Sequence, residues 1–246
     1  MTIKTLAIVP EQSGVKIAKN KIEIEKGKSF KYDAVYTNDT GLNLIYSDRF
    51  SSLTASAAIG INESFMQFTD GPDRSDIFRT TNSKVGFLEV AMKEIFQKFQ
   101  PKHGKPEHII SVSMAQVTQS GELKDLGNPH DRPLSLKQNA SYGTYIQGLS
   151  QIVCGVYQDV VRFYEDGCQL LSALKLSPIL SMLVVRISNK PGGAADKGTI
   201  STFKFVNVFT EQRNFESVQD FLSSVAQKKG KVPEKVVASS NAMQLL

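Results

Sequence analysis

This sequence contains no apolar run approaching the roughly 18 residues that a helix needs to cross a bilayer, although 41% of its 246 residues are hydrophobic. That excludes a protein held in the membrane by its own helices. Internal repeats and low-complexity tracts are also lacking, which excludes solenoid and low-complexity architectures. No heptad run occurs, so nothing here specifies a coiled coil. Met1 to Pro10 lacks the charged, apolar, small-residue succession of a secretory signal. There are two cysteines, Cys154 and Cys168, and they show no metal-ligand spacing. A structural pair is open to them, but a reducing intracellular compartment fits better. The three histidines, His103, His108 and His130, lie in or beside turn-rich segments. They have no carboxylate or cysteine partners at metal spacing and read as surface residues. Neither Ser75 nor Ser177 sits in a Gly-x-Ser-x-Gly turn, so neither reads as a nucleophile.

What is present is the composition of an ordinary globular protein. Charged residues make up 22% and the formal net charge is +5. The length suits one large α/β domain or two small ones. The positive excess suits an acidic partner, whether nucleic acid, an acidic protein or an anionic membrane, without choosing among them.

Hydrophobic periodicity places the elements. Residues 3–9 read as a strand, Lys21 to Glu25 as a half-buried strand, and Phe30 to Tyr36 as an alternating one. Ser64 to Phe68 is a short apolar run bounded by a turn cluster. Residues 84–99 carry Leu88, Ala91, Met92, Ile95, Phe96 and Phe99 at helical spacing, with Asn82 or Ser83 available to cap the start. His108 to Val117 reads as a long strand and Gly121 to Arg132 as turns. A second helix is expected over 153–171, with Val156, Val160, Phe163 and Tyr164 on one side. Ser181 to Ser188 and Ile200 to Val208 read as strands. A third helix is expected from about Phe215 to Gln227, followed by Lys228, Lys229 and Lys231 at its end. Strands and helices interleave without a linker, so residues 1–246 are expected to form a single three-layer α/β domain.

Several phrases then fall in a telling order. Phe30-Lys31-Tyr32-Asp33-Ala34-Val35-Tyr36, Gly60-Ile61-Asn62, Ile110-Ser111-Val112-Ser113 with Asp125-Leu126, and Gly148-Leu149-Ser150 with the helix ending at Gly167 are spread over nearly the whole chain. In order and spacing they resemble the kinesin motor domain. The resemblance implies a central mixed, mostly parallel, eight-stranded sheet with helices on both faces.

The positions that depart from the family matter most. Where kinesins have Gly-Gln-Thr-Gly-Ser-Gly-Lys-Thr, this chain has Thr69-Asp70-Gly71-Pro72-Asp73-Arg74-Ser75-Asp76. In the family pattern glycines let backbone amides reach the phosphates, lysine neutralises them and threonine holds magnesium. Here Ser75 stands at the lysine position and Asp76 at the magnesium-threonine position. Pro72 removes an amide donor. Asp70, Asp73 and Asp76 place three carboxylates where a polyphosphate would sit, and Arg74 offsets one of them. The family's γ-phosphate sensor aligns with Leu176 to Leu180. The switch aspartate linked to magnesium aligns with Asn207, the switch glycine with Thr210, and the base-holding Arg-x-Arg-Pro with Ala7-Ile8-Val9-Pro10.

Phosphoryl transfer depends on positioning and charge stabilisation by these parts. The resemblance therefore implies a chain that is not an enzyme, with no catalytic residue, no metal ion and no cofactor. Thr69, Arg74, Ser75, Asp76, Asn207 and Thr210 mark its degenerate nucleotide site. A retained microtubule surface corresponds to Arg213 to Leu246 and supplies Arg213, Lys228, Lys229, Lys231 and Lys235, which suit the acidic tubulin surface. The same lysines also read as a solvated basic helix end. The chain resembles the non-catalytic subunits that pair, through an upstream coiled coil, with catalytic minus-end-directed, C-terminal-motor kinesins in budding yeasts. That implies a heterodimer, microtubules as partner, no nucleic acid and no membrane, and a place in the cytoplasm, on the cytoskeleton and spindle, with the nucleus as a further site. It also implies that the coiled coil is missing from this sequence. Two other readings stand beside it: a divergent kinesin with weak nucleotide binding or ATPase activity, and a structural dimerisation module without microtubule affinity.

Overall fold

A computed structural model of the chain describes residues 5–9, 15–18, 20–23, 28–37, 39–69, 76–82, 84–99, 108–118, 120–128, 133–139, 143–174, 178–189 and 198–209. They belong to two compact units, Met1–Phe50 and Ser51–Leu246.

The first unit contains β1 (Leu6–Val9), β2 (Lys16–Ala18), β3 (Lys21–Glu23), β4 (Ser29–Lys31), β5 (Ala34–Thr37) and the helix α1 (Leu42–Arg49). β2, β3 and β4 form an antiparallel sheet, while β1 runs parallel to β5 with Leu6 opposite Ala34. The sequence predicts one strand from Phe30 to Tyr36, but it is two. Asp33 breaks it: its amide donates to the Thr5 carbonyl at 2.9 Å, and its carboxylate accepts from the Thr5 amide at 2.6 Å and the Thr5 hydroxyl at 2.9 Å. These bonds to Thr5, 28 positions away, engage the Asp33 amide that a continuous ladder would use.

The second unit contains α2 (Ser51–Ala58), β6 (Glu63–Thr69), α3 (Phe87–Lys98), β7 (His108–Thr118), β8 (Leu123–Asp125), β9 (Ser135–Asn139), β10 (Gly143–Gln147), β11 (Ile152–Cys154), α4 (Tyr157–Ala173), β12 (Pro178–Asn189) and β13 (Ile200–Phe209). Its main sheet has the order β11-β7-β12-β13-β6, with β8 alongside β7. The α/β class and the mixed sheet are as expected. Two details differ. Among the described residues the sheet has six strands rather than eight, and its one parallel pair is β13 with β6, the other pairings being antiparallel. β8, β11 and β12 all run opposite to β7, and β13 runs opposite to β12, so among the described strands of this sheet only β13 and β6 are neighbours with a common direction. The phosphate-loop segment follows β6 in the chain, one strand of that parallel pair.

Pleating sends alternate residues of these strands to opposite faces. On one face Phe65, Phe203 and Phe205 stack, with ring centroids 5.7 Å and 5.8 Å apart from Phe65, and Phe78 meets Phe205 edge-on at 5.3 Å. Burying each such ring contributes about 1.5–3 kcal/mol, and each pairing adds about 0.5–1.5 kcal/mol. The helices lie on this face. α3 turns Phe87, Leu88, Ala91, Met92 and Ile95 inward. α4 buries Val160, Tyr164, Gly167, Cys168 and Leu171. The opposite face holds Ala115, Val117, Leu180, Met182, Val206 and Val208, packed against Ile146 of β10 and partly buried Leu134, Leu136 and Leu149. The resemblance implies helices on both faces; among the described residues this second face is covered by the β9–β10 hairpin.

Helix starts also differ from expectation. The predicted cap at Asn82 or Ser83 is replaced by Gly86, the N-cap of α3. Amides of Phe87 and Leu88 donate to the carbonyls of Ile77 (2.8 Å) and Phe78 (3.4 Å), so the preceding turn satisfies the helix start. The helix predicted over 153–171 begins at Tyr157, because Ile152-Val153-Cys154 pairs as a strand with Val112, Ser111 and Ile110. Val156 is half exposed rather than on the packed side. Asp159 caps the start, accepting from the amides of Gly155 (2.9 Å) and Val156 (3.1 Å). The helix predicted from Phe215 to Gln227 lies outside the described residues.

Candidate functional site

In open α/β sheets, ligand crevices form beyond the carboxyl ends of parallel strands. Here that position follows β6 and β13, the parallel pair, whose last residues Thr69 and Phe209 stand opposite one another. Thr69 is buried there. One step back in the same orientation, Gln67 stands opposite Asn207. Both point to the helix-covered face, and both are nearly fully buried.

Around these two residues the side chains close a ring. The Gln67 amide nitrogen donates to the Asp76 carboxylate at 2.7 Å and also to the Asn207 side-chain oxygen. The Asn207 amide nitrogen donates to the Tyr164 hydroxyl at 2.7 Å. The Tyr164 hydroxyl donates to the other Asp76 oxygen at 2.6 Å, which completes the circuit. Two backbone amides fix its direction. Ile77 donates to the Gln67 oxygen at 3.0 Å, and Phe78 donates to the Asp76 Oδ1 at 2.9 Å. Both Asp76 oxygens and both polar atoms of the Gln67 and Asn207 side chains are thereby engaged.

Electrostatics follow from burial. Asp76 is held above the ordinary aspartate range because burial disfavours its charge; the bonds from Tyr164, Phe78 and Gln67 and the charge of Arg79 pull the other way. Tyr164 is pushed well above the usual phenol value by burial, reinforced by the neighbouring Asp76 charge. The ring thus holds a carboxylate, a neutral phenol and two amides, a set suited to mutual bonding.

Of the residues expected at the degenerate site, Asp76 and Asn207 come together and Thr69 lies at the neighbouring strand end. Arg74, Ser75 and Thr210 lie outside the described residues, as do Arg213, Lys228, Lys229, Lys231 and Lys235. Asp76 is expected to face a polyphosphate; its oxygens are instead turned to Gln67, Phe78 and Tyr164. The reading of the sequence misses Gln67 and treats Tyr164 as core. The available signal is the alternation in β6, where Phe65, Gln67 and Thr69 share the buried face, so that an amide occupies a core register. The two cysteines are both free and both buried. His108 lies in β7, with Nδ1 2.6 Å from the Asn189 side-chain oxygen and its ring 4.0 Å from that of Phe99.

An α/β domain with a polar cluster behind the carboxyl ends of a parallel strand pair belongs to the broad class of open α/β sheets whose ligand crevices lie at that end. More particularly, the description of the kinesin motor domain family matches residues 3–173, and the chain belongs to that family. It is 27% identical over 123 residues to kinesin-like protein KIN-7J of Oryza sativa subsp. japonica, covering 50% of this chain and 14% of that relative. It is 22% identical over 153 residues to kinesin-like protein KIF28P of Homo sapiens, covering 59% and 16%. It is 23% identical over 154 residues to kinesin-related protein 1 of Dictyostelium discoideum, covering 57% and 7%. The matches thus span less than a fifth of each of these relatives. Among solved structures, that of a fast kinesin superposes with a TM-score of 0.79 at 17% identity, covering all of this chain and 80% of that one. At that identity the likeness concerns the fold.

Proposed function

We propose that this chain is a non-catalytic kinesin-like subunit that binds microtubules without binding or hydrolysing ATP, and that it works as the heterodimer partner of a catalytic minus-end-directed kinesin. The observation that carries this reading is Asp76. At the position where the family pattern holds magnesium with a threonine hydroxyl, this chain has a carboxylate whose two oxygens are bonded to Gln67, Phe78 and Tyr164. At the position of the magnesium-linked aspartate stands Asn207, whose amide faces Tyr164 and Gln67. This donor set does not fit a magnesium-bound triphosphate: the family's oxygen ligands are replaced or already engaged. Ser75 in place of lysine removes the charge that would offset the phosphates.

Microtubule binding is supported by family membership and by the lysines that follow residue 227. The heterodimer and the spindle setting are supported by the resemblance to non-catalytic partner subunits. The test is equilibrium binding of radiolabelled ATP with magnesium, beside co-sedimentation with stabilised microtubules across a salt series. Pelleting that weakens with salt, without ATP retention, is the expected result. Stoichiometric ATP binding overturns the non-catalytic reading, and absence of pelleting at low salt overturns the microtubule reading.

A further inference from the structure

We propose that Asp76, Tyr164, Asn207 and Gln67 form a side-chain latch that ties the end of the phosphate-loop segment to β6, β13 and α4 with no ion or nucleotide, and that one carboxylate, placed at 76 and not at 207, sets its direction. The clause "with no ion or nucleotide" rests on the function proposed above; the latch itself rests on the ring.

The latch joins residues far apart in sequence. Tyr164 and Asp76 are 88 positions apart, Gln67 and Asn207 are 140 apart. Without it, four buried or half-buried polar side chains would need other partners, because a buried polar group left unpaired is costly. Hydrogen-bond counting then dictates which residue must be the acid. The amides of Ile77 and Phe78 are fixed donors, so they hold the Gln67 oxygen and Asp76 Oδ1 in place as acceptors. The Gln67 amide nitrogen must therefore face both Asp76 and Asn207, which makes the near atom of Asn207 its oxygen. The Asn207 nitrogen then faces Tyr164, whose own proton is left for Asp76 Oδ2. Every donor meets an acceptor once around the circuit.

Changing either end alone breaks that count. In Asp76→Asn, the new amide nitrogen and the Asn207 nitrogen both donate to Tyr164, whose proton finds no acceptor. In Asn207→Asp, two carboxylates share one phenol proton and repel each other. In the double variant the direction at Tyr164 reverses. The nitrogen at 76 donates to the phenol oxygen, the phenol donates to the carboxylate at 207, and Gln67 still serves both neighbours. The count closes again.

The experiment is a double-mutant cycle on the 246-residue chain, read by thermal denaturation at neutral pH. Asp76→Asn and Asn207→Asp are each expected to lower the midpoint by about 2–8 °C. The double variant is expected to return most of the way to the parent value, a coupling typical of residues in one network. Additive losses overturn the latch. Should a single variant fail to give a cooperative transition, recovery of one in the double variant supports the latch and its failure there opposes it. A separate arm heats the parent chain with and without magnesium and ATP. A stabilising shift there overturns the function proposed above, whereas the outcome of the cycle alone decides the ring.

Discussion

Asp76 shows how a single residue's surroundings make a measurable quantity. Its carboxyl is held above the ordinary range, with burial outweighing three accepted hydrogen bonds. A raised native value means that the folded chain holds the proton more tightly than the unfolded one. The stabilisation from this group is then fully present below the unfolded value of about 3.9 and is lost as pH rises through the native value. The stability of the parent minus that of Asp76→Asn should therefore fall as pH rises from about 4; urea titrations of both chains at several pH values measure it. A difference that grows over that range contradicts the assignment. At Cys154, burial and, secondarily, the charge of Asp159 push the thiol up to about 11. With the thiolate suppressed and the side chain buried, iodoacetamide should label Cys154 slowly in the folded chain near pH 8 and readily in denaturant. Mass spectrometry of the labelled peptide reads the outcome, and rapid native labelling would show that the site opens.

At the scale of the element, the junction before α3 leaves no room for a side chain. Gly86 has φ −79° and ψ 158°, angles open to any residue. What forbids a side chain there is space: a Cβ would lie 2.2 Å from the Phe78 carbonyl oxygen and 2.5 Å from the Arg79 carbonyl carbon. Both are backbone atoms, so no rotamer change relieves the clash. The Gly86 amide also donates to the Thr80 hydroxyl at 3.0 Å, and Thr80 in turn donates to Glu89 at 2.7 Å. Gly86→Ala should cost about 1–3 kcal/mol and loosen the turn whose carbonyls satisfy the start of α3. Chemical denaturation gives the cost, and a change near zero would mean that the turn is free to shift. The elements also show where sequence patterns succeed. α3 and β6 were legible because each packs one regular face, and β7, β12 and β13 because strands buried on both faces leave long, largely apolar runs. α2 was not legible: Ser51–Ala58 is mostly small residues, buried only through Thr54 and Ala57, and a helix without large apolar side chains leaves little periodic trace. β11 was absorbed into a predicted helix because three residues are too few to establish a period of two.

For the whole molecule, the question is how a member of the kinesin motor domain family works if its nucleotide positions are altered. On the reading proposed here, affinity for the acidic microtubule surface resides in a cluster of positive charges. Replacing Lys228, Lys229 and Lys231 together with alanine should weaken co-sedimentation and flatten its dependence on salt, because fewer charge pairs remain to be screened. An unchanged affinity in that variant would place the binding surface elsewhere on the chain.

The amino-acid sequence by itself determined the family, through the order and spacing of its phrases, and the loss of lysine and threonine at positions 75 and 76. These are facts of local chemistry: which side chain can neutralise a phosphate or ligate a metal does not depend on the rest of the fold. Only the tertiary structure decided where Asp76 points. Read along the chain, it is one of three acids in a loop; folded, it meets Gln67 from one strand, Tyr164 from a helix and, through them, Asn207 from another strand. Pairing across such separations is set by sheet register and helix packing. Those bring together residues that no local pattern relates, and burial then obliges each polar atom to find its partner among them.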